Sequence, residues 1–147
     1  MKTIWIWAKV GFAIVGGLLS WFLGGMDNFI YGLIAFVVAD YITGVMRAFY
    51  ERILSSRIGA HGIMKKLAIF LIVGVAHLAD VYLLFDGNAL RTAMIFFYIS
   101  NEGLSLLENT VAIGLPVPDK LRDALAQLNK KKGNENMDGG KKDEGAN

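Results

Sequence analysis

Apolar residues fall into four long runs separated by short polar links. A bilayer core about 30 Å thick is crossed by roughly 20 helical residues at a rise of about 1.5 Å each, so runs of this length read as membrane spans. The first covers Ile4 to Leu23, the second Phe29 to Met46, the third Leu67 to Phe85 and the fourth Ala93 to Ile113. Trp5, Trp7 and Trp21 bracket the first run, as expected of indole rings that settle at the two headgroup levels. Its one charge, Lys9, lies near enough to the start for its side chain to snorkel to the nearer interface. An apolar run behind Lys2 also outlines a secretory leader, but Lys9 interrupts it and no Ala-x-Ala-type site follows, so it reads as a retained span. Beyond Pro116 and Pro118, which stop a helix, Asp119 to Lys132 carries Leu121, Leu125 and Leu128 on one face. That pattern predicts a short amphipathic helix, lying on the membrane surface or against a partner subunit. Gly133 to Asn147 is too poor in apolar groups to repay ordering and reads as a disordered tail. The expected fold is an all-α integral membrane protein: a four-span domain over residues 1–118, an amphipathic helix over 119–132 and a tail over 133–147.

Composition agrees with this pattern. Of 147 residues, 54% are hydrophobic and 19% charged, against roughly 45–50% apolar in an ordinary soluble domain. The absence of cysteine excludes disulfides, thiolate nucleophiles and thiolate metal sites, and His61 and His77 are too few for a histidine-built one. No HExxH, nucleophile elbow or phosphate-binding glycine loop is present, so neither enzyme activity nor a cofactor or metal is expected, and the apolar composition argues against a nucleic-acid partner.

The net charge of +2 says less than where the charges lie. The segment from Arg47 to Lys66 holds Arg47, Arg52, Arg57, Lys65 and Lys66 against Glu51 alone, an excess that the positive-inside rule places in the cytoplasm. The stretch after Pro118 is also basic; Lys120, Arg122 and Lys130 to Lys132 would face anionic headgroups, each worth about 1 kcal/mol near the surface. With four spans, both termini are then cytoplasmic.

Polar side chains inside spans normally face protein or water, because a charge at the bilayer centre costs about 2.5–3.5 kcal/mol on insertion scales. Here Asp40 lies in the second span, His77 and Asp80 share a face of the third, and the fourth carries Asn101, Glu102, Ser105, Glu108 and Asn109, mostly on one side. If the third and fourth spans fold back at Asn88, His77 and Glu102 come to similar depth, and His77 is expected to pair with Glu102 or Asn101. The polar face of the fourth span is interhelical glue, the lining of water in an assembled pore, or an ion relay. Gly16, Ser20 and Gly24, and likewise Ala35, Ala39 and Thr43, recur at four-residue intervals, the small-xxx-small pattern of close helix contacts within a chain or between chains.

Three blocks stand out beyond composition. Asp40-Tyr41-Ile42-Thr43-Gly44 closes the second span, and Ser55 to Lys66, with Gly59, Gly62 and Lys65, forms the basic link. Asn101-Glu102-Gly103-Leu104-Ser105-Leu106-Leu107-Glu108-Asn109 precedes Gly114-Leu115-Pro116-Val117-Pro118. In order and spacing these resemble the phage lysis and toxin-secretion holin family, over about residues 27 to 130. The resemblance implies a small protein of the bacterial cytoplasmic membrane that associates with itself and with lipid. It would open lesions that pass a cytoplasmic endolysin, or a large toxin, as cargo, and an antiholin is a possible partner. A regulatory antiholin is the alternative reading. The block residues also have structural readings: Asp40 pairing with the basic link through Arg47, Gly59 and Gly62 permitting a turn, and Pro116 and Pro118 ending a helix.

Overall fold

The computed structural model describes residues 1–84, 87–124, 126 and 127. Four long helices account for most of them: α1 (Lys2–Phe22), α2 (Asn28–Tyr50), α3 (Ser56–Ala79) and α4 (Ala89–Ala112), with α3 continuing into a π-helical turn over Asp80–Leu84. Among the described residues there is no strand. Beyond the left-handed Gly114 and the two prolines the backbone turns helical again at Asp119, where the Pro118 carbonyl accepts the Leu121 and Arg122 N–H groups. The rest of the expected amphipathic helix and the whole tail lie outside the described residues.

The helices outrun the apolar runs that mark them in sequence. α3 begins eleven residues before Leu67, because Ser55 caps it: the Ser55 hydroxyl accepts the Ile58 N–H at 3.3 Å. Arg57, Lys65 and Lys66 therefore stand on a helix, to which long basic side chains are well suited, and the true connection is only Glu51 to Ser55. α2 is capped the same way, with the Asp27 carboxylate accepting the Ile30 N–H at 3.0 Å. The turn into it uses Gly24 and Gly25 at φ +79° and +101°, a region closed to most side chains.

α2 and α4 run parallel and make the most extensive contact, with α3 antiparallel to both. Leu23, Ile30, Leu33, Val37, Ile69, Val73 and Ile95 form the buried core between them. Close approach relies on glycine: Gly103 lies under Phe36, and Gly74 under Phe22, where an added methyl would sit 2.0 Å from the ring. α1 stands apart. None of its residues is buried, and it meets the bundle only at its end, through Phe22 and the following Leu23.

Among the described residues three helices are long and apolar enough to cross a membrane: α1, α2 and α3 with its π-helical extension. α4 is as long as α3 but falls below that apolarity, so the fourth span expected from the sequence is a membrane-length helix that buries Arg91, Glu102 and Asn109 against the bundle. The end of the bundle where α2 passes into α3 carries Arg47, Arg52 and Arg57 and is called the basic end below.

Candidate functional site

The three sequence blocks meet inside the bundle. At a rise of about 1.5 Å per residue, Asp40 on α2, Lys66 on α3 and Glu102 on α4 each lie about 15 Å from the basic-end terminus of their helix. The Lys66 ammonium bonds both carboxylates, reaching Asp40 Oδ2 at 2.5 Å and Glu102 Oε2. Asp40 and Glu102 are each only 6% exposed. The other Asp40 oxygen accepts from Asn109 Nδ2 at 3.0 Å, and that amide lies 3.3 Å from Thr43 Oγ1. Thr43 bonds back to the Ala39 and Asp40 carbonyls, and Gly44 leaves room for the Asn109 amide, 3.6 Å from where a methyl would stand. A buried charge needs a partner and further hydrogen bonds to be tolerated, and this cluster supplies both.

Beside the cluster is a cavity of about 470 Å³ between α2, α3 and α4. Its polar wall holds Asp40, Lys66, Glu102, Asn101 and Ser105, and its apolar wall includes Ile58, Ile69 and Ile72. Asn101 is exposed and marks the open side. The Tyr41 ring covers Gly59 and Gly62, whose added methyls would come within 3.7 and 3.3 Å of it. These glycines therefore sit within a helix and admit an aromatic ring, which corrects the expectation of a turn. Lys65 is exposed beside them.

A second polar cluster ties the opposite end together. Both oxygens of the fully buried Asp80 accept N–H groups that open α4, from Leu90 at 3.0 Å and Arg91 at 2.7 Å. The Arg91 guanidinium, 1% exposed, donates to the Leu23 carbonyl at 2.5 Å, the Gly25 carbonyl at 3.1 Å and Asp27 Oδ2 at 2.7 Å. Arg91 thus clamps the α1–α2 turn to the start of α4, and its hydrogen bond holds the Asp27 carboxyl below its usual range.

Two expected pairings are overturned. His77 does not meet Glu102 or Asn101; it lies beside Gly24 and Arg91, with Nδ1 buried and unpartnered among the described residues. The chain turns into α4 at Gly87 and Asn88 as expected, but Asp80 lies level with Leu90 and Arg91, so in this register Lys66 rather than His77 comes level with Glu102. Asp40 does pair with a residue of the basic segment, but with Lys66; Arg47 instead bonds Glu51 one turn on, at 2.8 Å. The sequence marks Arg91 only as a single cation just beyond the turn at Gly87 and Asn88, with Asp27 and Asp80 elsewhere to answer it, and assigns it no role. Of the remaining block residues, Ser55 is a helix cap, Glu108 is half-buried with Oε1 unpartnered among the described residues, Pro116 and Pro118 are exposed after α4, and no described cluster of His, Asp and Glu has the makings of a metal site.

Comparison with known proteins matches residues 17–130 to a family model described as the bacteriophage holin family. The chain is 36% identical over 104 residues to a probable holin of Bacillus phage phi105, covering 71% of this chain and 76% of that one. It is 42% identical over 131 residues to an uncharacterized protein of Clostridium perfringens, covering 89% and 97%, and 39% identical over 127 residues to one of Listeria innocua, covering 86% and 90%. No solved structure matches. With three helices apolar enough to span a bilayer and a family match over most of its length, this chain is a membrane protein and belongs to the bacteriophage holin family.

Proposed function

We propose that the protein is a holin: it assembles in the bacterial cytoplasmic membrane and opens lesions through which a cytoplasmic endolysin, or another large protein cargo, reaches the cell wall. The observation that carries this reading is the Asp40–Lys66–Glu102 cluster at mid-bundle, beside a cavity open at Asn101. Lipid rejects such a surface, so a lone chain keeps it turned inward. An assembly whose α4 helices line water accepts it, so opening follows from assembly once enough copies have gathered. Self-association is therefore part of the mechanism, and neither catalysis nor a cofactor enters it. The basic end faces the cytoplasm, which places both termini there, with all four helices spanning and the basic residues after Pro118 near anionic headgroups.

The test is inducible expression together with an endolysin that lacks an export signal, following optical density and release of a cytosolic enzyme. Abrupt lysis that requires both proteins is expected. Full accumulation in the membrane without lysis, even after the membrane potential is collapsed, contradicts the proposal and favours an antiholin.

A further inference from the structure

We propose that α1 of one copy docks antiparallel along α4 of a second copy, on the face that carries Asn101, Ser105 and Glu108, with Lys9 paired to Glu108. The inference rests on the self-assembly proposed above and gives its closed stage, before α4 turns to water, a defined contact.

α1 has no place within its own chain: from Met1 to Leu19 every residue is exposed. Most of that surface is apolar and suits lipid, but Lys9 does not, and among the described residues no carboxylate pairs with it. At successive steps of four, three and four residues, Ala13, Gly16 and Ser20 continue the face that Lys9 begins, and no atom of the chain lies within 4 Å of a methyl placed on Gly16. That face is narrow enough for a neighbouring backbone to come close.

α4 offers the complement. Asn101 is exposed and Ser105 and Glu108 are half-buried, again at steps of four and three. Glu108 Oε1 is buried within the chain without a partner among the described residues, which leaves Oε2 as the oxygen that faces outward to meet Lys9. The depths agree as well. At about 1.5 Å per residue, Lys9 and Glu108 lie about 10 and 6 Å from the basic-end termini of their helices, and Ala13 and Asn101 both lie about 17 Å from them. Helical side chains lean toward their own N-terminus, and spanning α1 and α4 run in opposite directions, so Lys9 and Glu108 lean toward each other. The two surfaces are different patches of one chain. Such a contact repeats from copy to copy and builds a row or ring rather than a closed dimer.

Because the natural chain has no cysteine, disulfide trapping reads this contact without background. In full-length protein in native membranes, the pairs K9C/E108C and A13C/N101C are expected to give, on oxidation, a ladder extending beyond the dimer. Mixing the single variants A13C and N101C should give the mixed dimer and no larger species. Adding K9E to the A13C/N101C pair should abolish the ladder, and adding E108K to that variant should restore it. An amine-reactive cross-linker applied to the natural chain reports assembly independently. Oligomers with that reagent but no disulfide at either pair overturn the docking while leaving self-assembly standing, as does a disulfide formed within a single chain. Absence of oligomers with both reagents overturns self-assembly and the docking with it.

Discussion

Lys66 is the cation on which the buried acids depend. It bonds Asp40 and Glu102 at once, so with all three ionised the cluster carries one more negative charge than positive. Removing the cation and removing one anion are therefore very different changes. Lys66→Met leaves two carboxylates facing each other without a counter-charge, and breaking a buried pair in this way costs about 3–5 kcal/mol. Glu102→Gln leaves Asp40 and Lys66 as a balanced pair and should cost only about 1 kcal/mol. Thermal unfolding in mild detergent separates these outcomes; equal losses would show that the three groups do not act as one electrostatic unit. At the other cluster, Arg91 lowers the Asp27 pKa from its ordinary 3.8. A carboxyl held lower in the folded chain contributes stability that is intact above the ordinary value and lost as pH falls through the lowered one. Acid unfolding of the natural protein should therefore steepen below pH 3.8, and Asp27→Asn should remove that part of the slope. The effect is small, because the Asp27 side chain is 42% exposed and solvent screens the pair.

The helices follow rules that a hydropathy pattern captures only in part. Three spans are evident from runs of apolar residues, because a helix facing lipid must be apolar over most of its surface. The start of α3 is not, since it depends on Ser55 as a cap and on basic side chains that lie comfortably on a helix; a window that averages hydropathy stops where those charges begin. The same averaging assigned Lys66 to a link, although it projects into the bundle. Asp40, Glu102 and Asn109 were visible as polar residues within apolar runs, but their pairing depends on the register of the α3–α4 hairpin. That register is set by a tertiary contact, the Asp80 cap on α4, which local pattern does not encode. In lipid, helices associate through close packing more than through apolar burial. Gly74 is where this matters most for α1, because Phe22 occupies the space above it. Gly74→Ala should displace the Phe22 ring and lower stability by about 1–3 kcal/mol. If thermal unfolding of this variant matches the natural chain, the α1 contact at this site is not a packing constraint.

The molecule combines a three-helix bundle, which buries Asp40, Asp80, Arg91, Glu102 and Asn109, with a helix that remains outside it. Family membership and the mid-bundle charges together support a chain built for two environments: closed while surrounded by lipid, and opened when enough copies gather for α4 to face water. Ser105 lies on the cavity wall, on the face that the proposed opening turns to water, and a cysteine placed there is the only one in the chain. The decisive measurement is the reaction of Ser105→Cys with a membrane-impermeant thiol reagent, followed through induction to the onset of lysis in cells that also express endolysin. Protection before onset and rapid labelling at onset are expected if α4 turns to line the lesion. A cysteine that stays unlabelled while the cytosolic contents escape would contradict that mechanism.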